Sequence, residues 1–192
     1  MIYIDSHIWD FDLAEALAAV SPQRRQYALR YRHERDRRLC LAAYRLLRQA
    51  LLREYGITDW PLFNYDHNGK PSLARFPSIH FSLSHCREAV ACAVGDHPLG
   101  IDIETTDHYS KDIAMAVMSE DEMSQILASQ RPKVAFTRLW TMKESFYKLA
   151  GNPGSLDVPH LLDAAARCSF TTIVYPRYIL TRCTRPAPHP QE

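Results

Sequence analysis

Residues 100–104 read GIDIE: Gly100, Ile101, Asp102, Ile103, Glu104. On a β-strand, residues two apart share a face. Ile101 and Ile103 therefore point one way, toward a core. Asp102 and Glu104 point the other way, side by side. Two carboxylates held together repel each other unless something positive lies between them. A solvated edge face satisfies this pattern, and so does a cation site. The rest of the chain has to decide.

The 192 residues suffice for one substantial domain or two small lobes. Apolar residues make up 46% and charged residues 23%, the balance of an ordinary globular protein. The net charge of +1 conceals an asymmetry. Ten arginines lie from Arg24 to Arg53, opposed only by Glu34 and Asp36, whereas acids gather around 102–122. Such a chain suits a polyanion in the basic zone and a metal in the acidic one. The five cysteines (Cys40, Cys86, Cys92, Cys168, Cys183) form no C-x-x-C pair, which argues against structural zinc and for reduced thiols in the cytoplasm. The opening MIYIDSHIWDFD is not patterned as a signal peptide, and no apolar run reaches membrane-spanning length.

Outward from GIDIE, local signals place the elements. MIYIDSHIW reads as a first strand. Residues 21–56 read as helical, with Ser21 as cap, Pro22 at the first position, an apolar stripe from Leu39 to Leu51, and Gly56 as stop. DHNGKP (66–71) is a turn. Residues 79–94 read as a hairpin, with strands 79–83 and 89–94 and a turn near His85–Glu88. Residues 111–150 are again helical. Ser119 and Glu122 make a capping box, and Gly151 closes the amphipathic stretch AFTRLWTMKESFYKLAG. RCSFTTIVYPRYILTRCT (167–184) reads as a second hairpin. The order strand, helix, hairpin occurs twice, which predicts an α+β fold of two similar halves, 1–98 and 99–184. The proline-rich segment 185–192 is expected to be a disordered tail.

On a helix, Glu144 and Lys148 share a face, as do Trp140 and Glu144. Glu144 is therefore a third carboxylate able to join Asp102 and Glu104 in an oxygen-ligand site. Magnesium suits such a site, because it takes few carboxylates and completes its octahedron with waters and phosphate. The lysines beside Glu144 fit a metal that carries phosphate. An exposed Glu144–Lys148 surface pair explains the same spacing.

GIDIE, followed by WTMKESFYK (140–148), resembles the paired signature of the 4′-phosphopantetheinyl transferases of surfactin-synthetase (Sfp) type. NGKP (68–71) and FSLSHC (81–86) match two further motifs in the same order. The resemblance covers roughly residues 20–150. It implies two similar α/β lobes, a pseudo-dimer, with coenzyme A bound in the cleft between them. It places magnesium on Asp102, Glu104 and Glu144, and the general base on Glu122. Lys148 balances pyrophosphate charge and protonates the leaving group, and Lys143 adds phosphate contact. Ser84 and His85 fall on phosphate-contacting positions, and Gly69, Lys70 and Pro71 on the loop beside the adenine. Arg24 matches a 3′-phosphate position, while Tyr27 replaces a basic residue there; Arg30, Arg35 and Arg38 are candidates to compensate.

The implied activity is transfer of the phosphopantetheine arm of coenzyme A to a serine of an acyl or peptidyl carrier protein. The expected setting is a cytoplasmic monomer with no nucleic-acid or membrane partner. The alternative is a non-catalytic module that binds a carrier protein or nucleic acid through the arginine-rich helix. That helix lacks the aromatic interleaving of a nucleic-acid binder. Glu122 keeps a second reading as the capping partner of Ser119 alone.

Overall fold

The computed structural model describes residues 1–107, 109–154 and 157–186. Its elements are β1 (Ile2–Asp5), α1 (Leu13–Ala19), α2 (Pro22–Leu29), α3 (Glu34–Tyr55), β2 (Phe63–Tyr65), β3 (Pro71–Leu73), β4 (His80–His85) and β5 (Val90–Gly95). They continue as β6 (Leu99–Thr105), α4 (Lys111–Val117), α5 (Glu120–Ala128), α6 (Pro132–Ala150), β7 (Ser169–Val174) and β8 (Tyr178–Thr184). The expected α+β class with antiparallel pairing is what the chain adopts. One three-stranded sheet has the order β1-β5-β4, another β6-β8-β7, and β2-β3 form a small hairpin.

The sequence of β5, VACAVG, explains how the layers stack. Its first five residues are all buried, so both faces of the strand are covered. Val90, Cys92 and Val94 join the cluster built on α3, with Leu39, Leu47, Leu51 and Phe81. Ala91 and Ala93 join a second cluster with Ile101, Ile103 and Leu180. The small alanines let the second sheet pack against the first. The helix α6 covers the far side of that second sheet, so the order of layers is α3, sheet, sheet, α6. Each fully buried Leu or Ile contributes about 1.5–3 kcal/mol, and the apolar stripe of α3 supplies several of them.

Three local readings change in the structure. The helical stretch 21–56 breaks between Leu29 and Glu34. Proline and glycine are absent there; tertiary bonds hold the break, with Arg37 Nε donating to Tyr31 O and Arg38 Nη1 to Phe11 O. The stretch 111–150 splits into three helices, α5 starting at the Ser119 capping box and α6 with Pro132 in its first turn. The first strand of the hairpin runs on through Ser84 and His85, because Cys86 N bonds Ala89 O and confines the turn to the residues between them. The strands flanking DHNGKP, three residues each, are too short to show a period. The expected tail lies outside the described residues from 187 onward.

Candidate active site

Strand β6 carries the alternation that its sequence predicts. Ile101 and Ile103 are fully buried against the first sheet. Gly100, on the opposite face, marks how closely α6 approaches: a Cβ there would lie 1.9 Å from Ser145 O and 2.6 Å from Leu149 N. Asp102 and Glu104 follow at two-residue steps on this same face, beneath the helix that carries Glu144 and Lys148.

The first sheet meets β6 through side chains rather than a backbone ladder. Ile101 N and Ile103 N point away from β8 and would be bare edge donors. Ser82 Oγ accepts from Ile101 N at 3.1 Å and Ser84 Oγ from Ile103 N at 3.4 Å. Ser84 then donates to Asp102 Oδ1 at 2.8 Å. The Lys148 ammonium lies 2.6 Å from that oxygen and 2.9 Å from Ser84 Oγ. Asp102 is 2% exposed, and its second oxygen, Oδ2, is buried without a hydrogen-bond partner.

The acids sense one another. Burial, then Asp102 and Glu144, raise the Glu104 carboxyl to about 7, against a pull downward from Lys148 and a hydrogen bond with Trp140. Burial and Asp102 likewise raise Glu144, opposed by Lys148. Among the described residues, no three His, Cys, Asp or Glu side chains form a ready-made cage for a metal. The donor set nonetheless fits a hard divalent cation. It is all oxygen, it is mutually repelled, and it includes one orphaned carboxylate oxygen.

A cavity of about 380 Å³ opens beside this cluster, lined by Lys70, Pro71, Phe81, Ser82, Glu144 and Lys148 among others. Lys70 and Pro71 reach it through the β2–β3 turn. Asp66 Oδ1 accepts from Asn68 N and Lys70 N, and Gly69 takes φ +79°, a left-handed conformation that glycine tolerates best. Lys70 Nζ then donates to Leu149 O near the end of α6, and burial lowers its pKa. His85 keeps exposed surface, yet desolvation and the Lys148 charge push its imidazole below the usual range, against Asp36 and Asp102.

Three expected residues are engaged elsewhere in the fold. Lys143 is 1% exposed, with its ammonium 2.7 Å from Glu122 Oε2 and donating to the carbonyls of Val158 and Pro159. Glu122 completes the capping box with Ser119 and is itself buried. Arg24 is 8% exposed, between the rings of Tyr27 and Tyr44, and bonds Cys40 O at 2.6 Å. Sequence reasoning did not single out Ser82 and Tyr147, which also line the cavity. Ser82 was findable, since it alternates with Ser84 in FSLS; Tyr147 carries no local signal.

Comparison with known proteins gives this geometry a family. Residues 98–189 match the model of the 4′-phosphopantetheinyl transferase superfamily. The chain is 34% identical over 158 residues to the 4′-phosphopantetheinyl transferase Sfp of Bacillus subtilis, covering 81% of this chain and 70% of that one. It is 38% identical over 135 residues to psf-1 of Bacillus pumilus, covering 69% and 58%, and 29% identical over 162 residues to HetI of a Nostoc species, covering 76% and 68%. The chain belongs to the 4′-phosphopantetheinyl transferase superfamily, a class of transferases. The similarity to Sfp takes in both halves of the fold, and the nucleic-acid-binding reading of the arginine-rich helix is not favoured. Among the described residues, no helix is long and apolar enough to cross a membrane.

Proposed function

We propose that the protein transfers the 4′-phosphopantetheine of coenzyme A to a serine of an acyl or peptidyl carrier protein, releasing adenosine 3′,5′-bisphosphate. The observation that carries this reading is the buried Asp102, whose Oδ2 has no hydrogen-bond partner, grouped with Glu104, Glu144 and Lys148, the last two of which line the cavity. Asp102, Glu104 and Glu144 hold magnesium, which when bound neutralises charge on the pyrophosphate. Residues 1–98 form one lobe and 99–184 the other, with coenzyme A in the cleft between them. A three-stranded antiparallel sheet with one long helix in each part supports that division. One chain supplies both walls, so a monomer suffices. The unpaired state of all five cysteines supports a cytoplasmic setting.

The chain's own residues then divide the work. Lys70 and Pro71, presented by the Gly69 turn, flank the adenine. Ser84, His85 and Lys148 face the pyrophosphate, and Lys148 returns a proton to the leaving oxygen. Arg24 serves the 3′-phosphate. Glu122 takes the serine proton; Ser119 N and the Lys143 ammonium, both on its Oε2, hold the carboxylate in place. A serine hydroxyl is a poor nucleophile until such a base acts. Lys143 contributes positive potential from within the helix.

The test is incubation with coenzyme A, magnesium and apo carrier proteins, read by intact mass. A carrier that gains the phosphopantetheine mass establishes the reaction, and loss of that gain with Asp102→Ala assigns the ligand. Full transfer by a folded Asp102→Ala protein at limiting magnesium would remove Asp102 from the metal site.

A further inference from the structure

Asp102, Ser84 and Lys148 form a closed triangle. The hydroxyl donates to Asp102 Oδ1 at 2.8 Å, and the ammonium donates to both Oδ1 at 2.6 Å and Ser84 Oγ at 2.9 Å. The cation on the most buried acid of the site is therefore the chain's own. A buried carboxylate is costly without a partner, and this pairing meets that cost. The Lys148 side chain is nevertheless 25% exposed and lines the cavity, against 3% for Asp102. Its flexible stem can carry the ammonium off Asp102 without unpacking the core.

From this geometry we infer that Lys148 is the resident counter-ion of the acidic site, and that a divalent cation takes its place on Asp102 by exchange. The inference rests on the metal reading proposed above. An ammonium and a divalent cation repel strongly at one oxygen in a partly desolvated site, so the two do not share Oδ1. The released ammonium enters the cavity beside Glu144, where an anionic phosphate offers it a new partner. Lys148 is then a positioning residue before it is a phosphate contact, and cation uptake and polyanion binding strengthen each other by linkage. Ser84, fixed by Ile103 N, keeps Asp102 oriented through the exchange. The competing arrangement puts the cation on the orphaned Oδ2 alone and leaves Lys148 where it is.

Two measurements on the full chain separate these. Nitrogen-15 spectra of the lysine ammonium groups report Lys148 directly, its signal assigned by its loss in Lys148→Arg and checked by its change in Asp102→Asn. Titration with magnesium alone is expected to shift or abolish that signal; a signal unchanged at saturating metal overturns the exchange. Manganese affinity, read by electron paramagnetic resonance without nucleotide, is expected to rise about tenfold or more in Lys148→Gln, because no ammonium has to be displaced. Equal affinity in wild type and variant overturns it as well, and Lys148→Met, which also removes the charge, serves the same comparison if the glutamine variant does not fold. A protein that transfers phosphopantetheine with Lys148 still on Asp102 overturns this inference alone. Failure of wild-type chain to bind manganese overturns the metal reading and the exchange together.

Discussion

The Lys143 ammonium and the Glu122 carboxylate meet 2.7 Å apart inside the protein, joining α6 to α5. Two carbonyls, of Val158 and Pro159, complete the ammonium's shell and bring the segment after α6 into the same knot. Removing one partner of a buried pair leaves an uncompensated charge, which costs about 3–5 kcal/mol. Lys143→Met is therefore expected to destabilise the fold by about that much in urea unfolding. A loss below 1 kcal/mol would mean that the knot carries little stability.

Glu122→Gln tests the base separately from the cap. Glutamine is accepted in a capping box, so the bond to Ser119 survives while the charge facing Lys143 is lost. Turnover is expected to fall about 10²–10⁴-fold, with coenzyme A affinity nearly unchanged and a stability loss smaller than that of Lys143→Met. Turnover close to wild type would leave Glu122 as an anchor only and move the search to Glu120 and Asp121.

Gly100→Ala places a methyl group 1.9 Å from Ser145 O, an atom of helix backbone that cannot swing aside. The helix α6 must move off β6, at a cost of about 1–3 kcal/mol. The same movement takes Glu144 and Lys148 away from Asp102, so transfer should fall along with melting temperature. An alanine variant with full activity and stability would show that the approach of α6 is looser than the backbone geometry implies.

Ser82→Ala and Ser84→Ala each strip an acceptor from a buried edge amide, Ile101 N and Ile103 N. Each is expected to cost about 1–3 kcal/mol. Only Ser84→Ala should also disturb the acidic cluster, because only Ser84 bonds Asp102 and Lys148. Comparing manganese affinity in the two variants checks this; identical affinities would sever Ser84 from the site.

The pH dependence of stability follows from Glu104. Its carboxyl, raised from 4.5 to about 7 by burial and then by Asp102, binds a proton in the folded chain that the unfolded chain has already released. Stability from this group is therefore fully present below about 4.5 and is lost as pH rises through about 7. Glu144 is displaced in the same direction. Without metal, urea unfolding should show stability falling between pH 5 and 7.5, with a shallower fall in Glu104→Gln. An identical slope in the two proteins would dissociate Glu104 from the effect.

Local pattern determined a good deal of this protein. The two-residue alternation of GIDIE placed Asp102 and Glu104 on one face, because a strand's period needs no partner to be read. The Ser119–Glu122 box, the Gly56 and Gly151 stops and both hairpins are likewise properties of a few adjacent residues, and the structure contains each. Tertiary structure alone decided where the polar side chains went. Lys143 and Lys148 flank Glu144 and look alike in the sequence, yet five residues turn a helix by well over a quarter turn. One ammonium is thereby buried on Glu122 and the carbonyls of Val158 and Pro159, and the other reaches Asp102 and the cavity. Ser84 lies just past the strand 79–83 read from the sequence; in the structure the strand β4 continues through it and lies alongside β6, a contact across 18 positions of chain. Such pairings depend on which layers pack together, and packing is set by the sum of distant apolar contacts, which no local window contains.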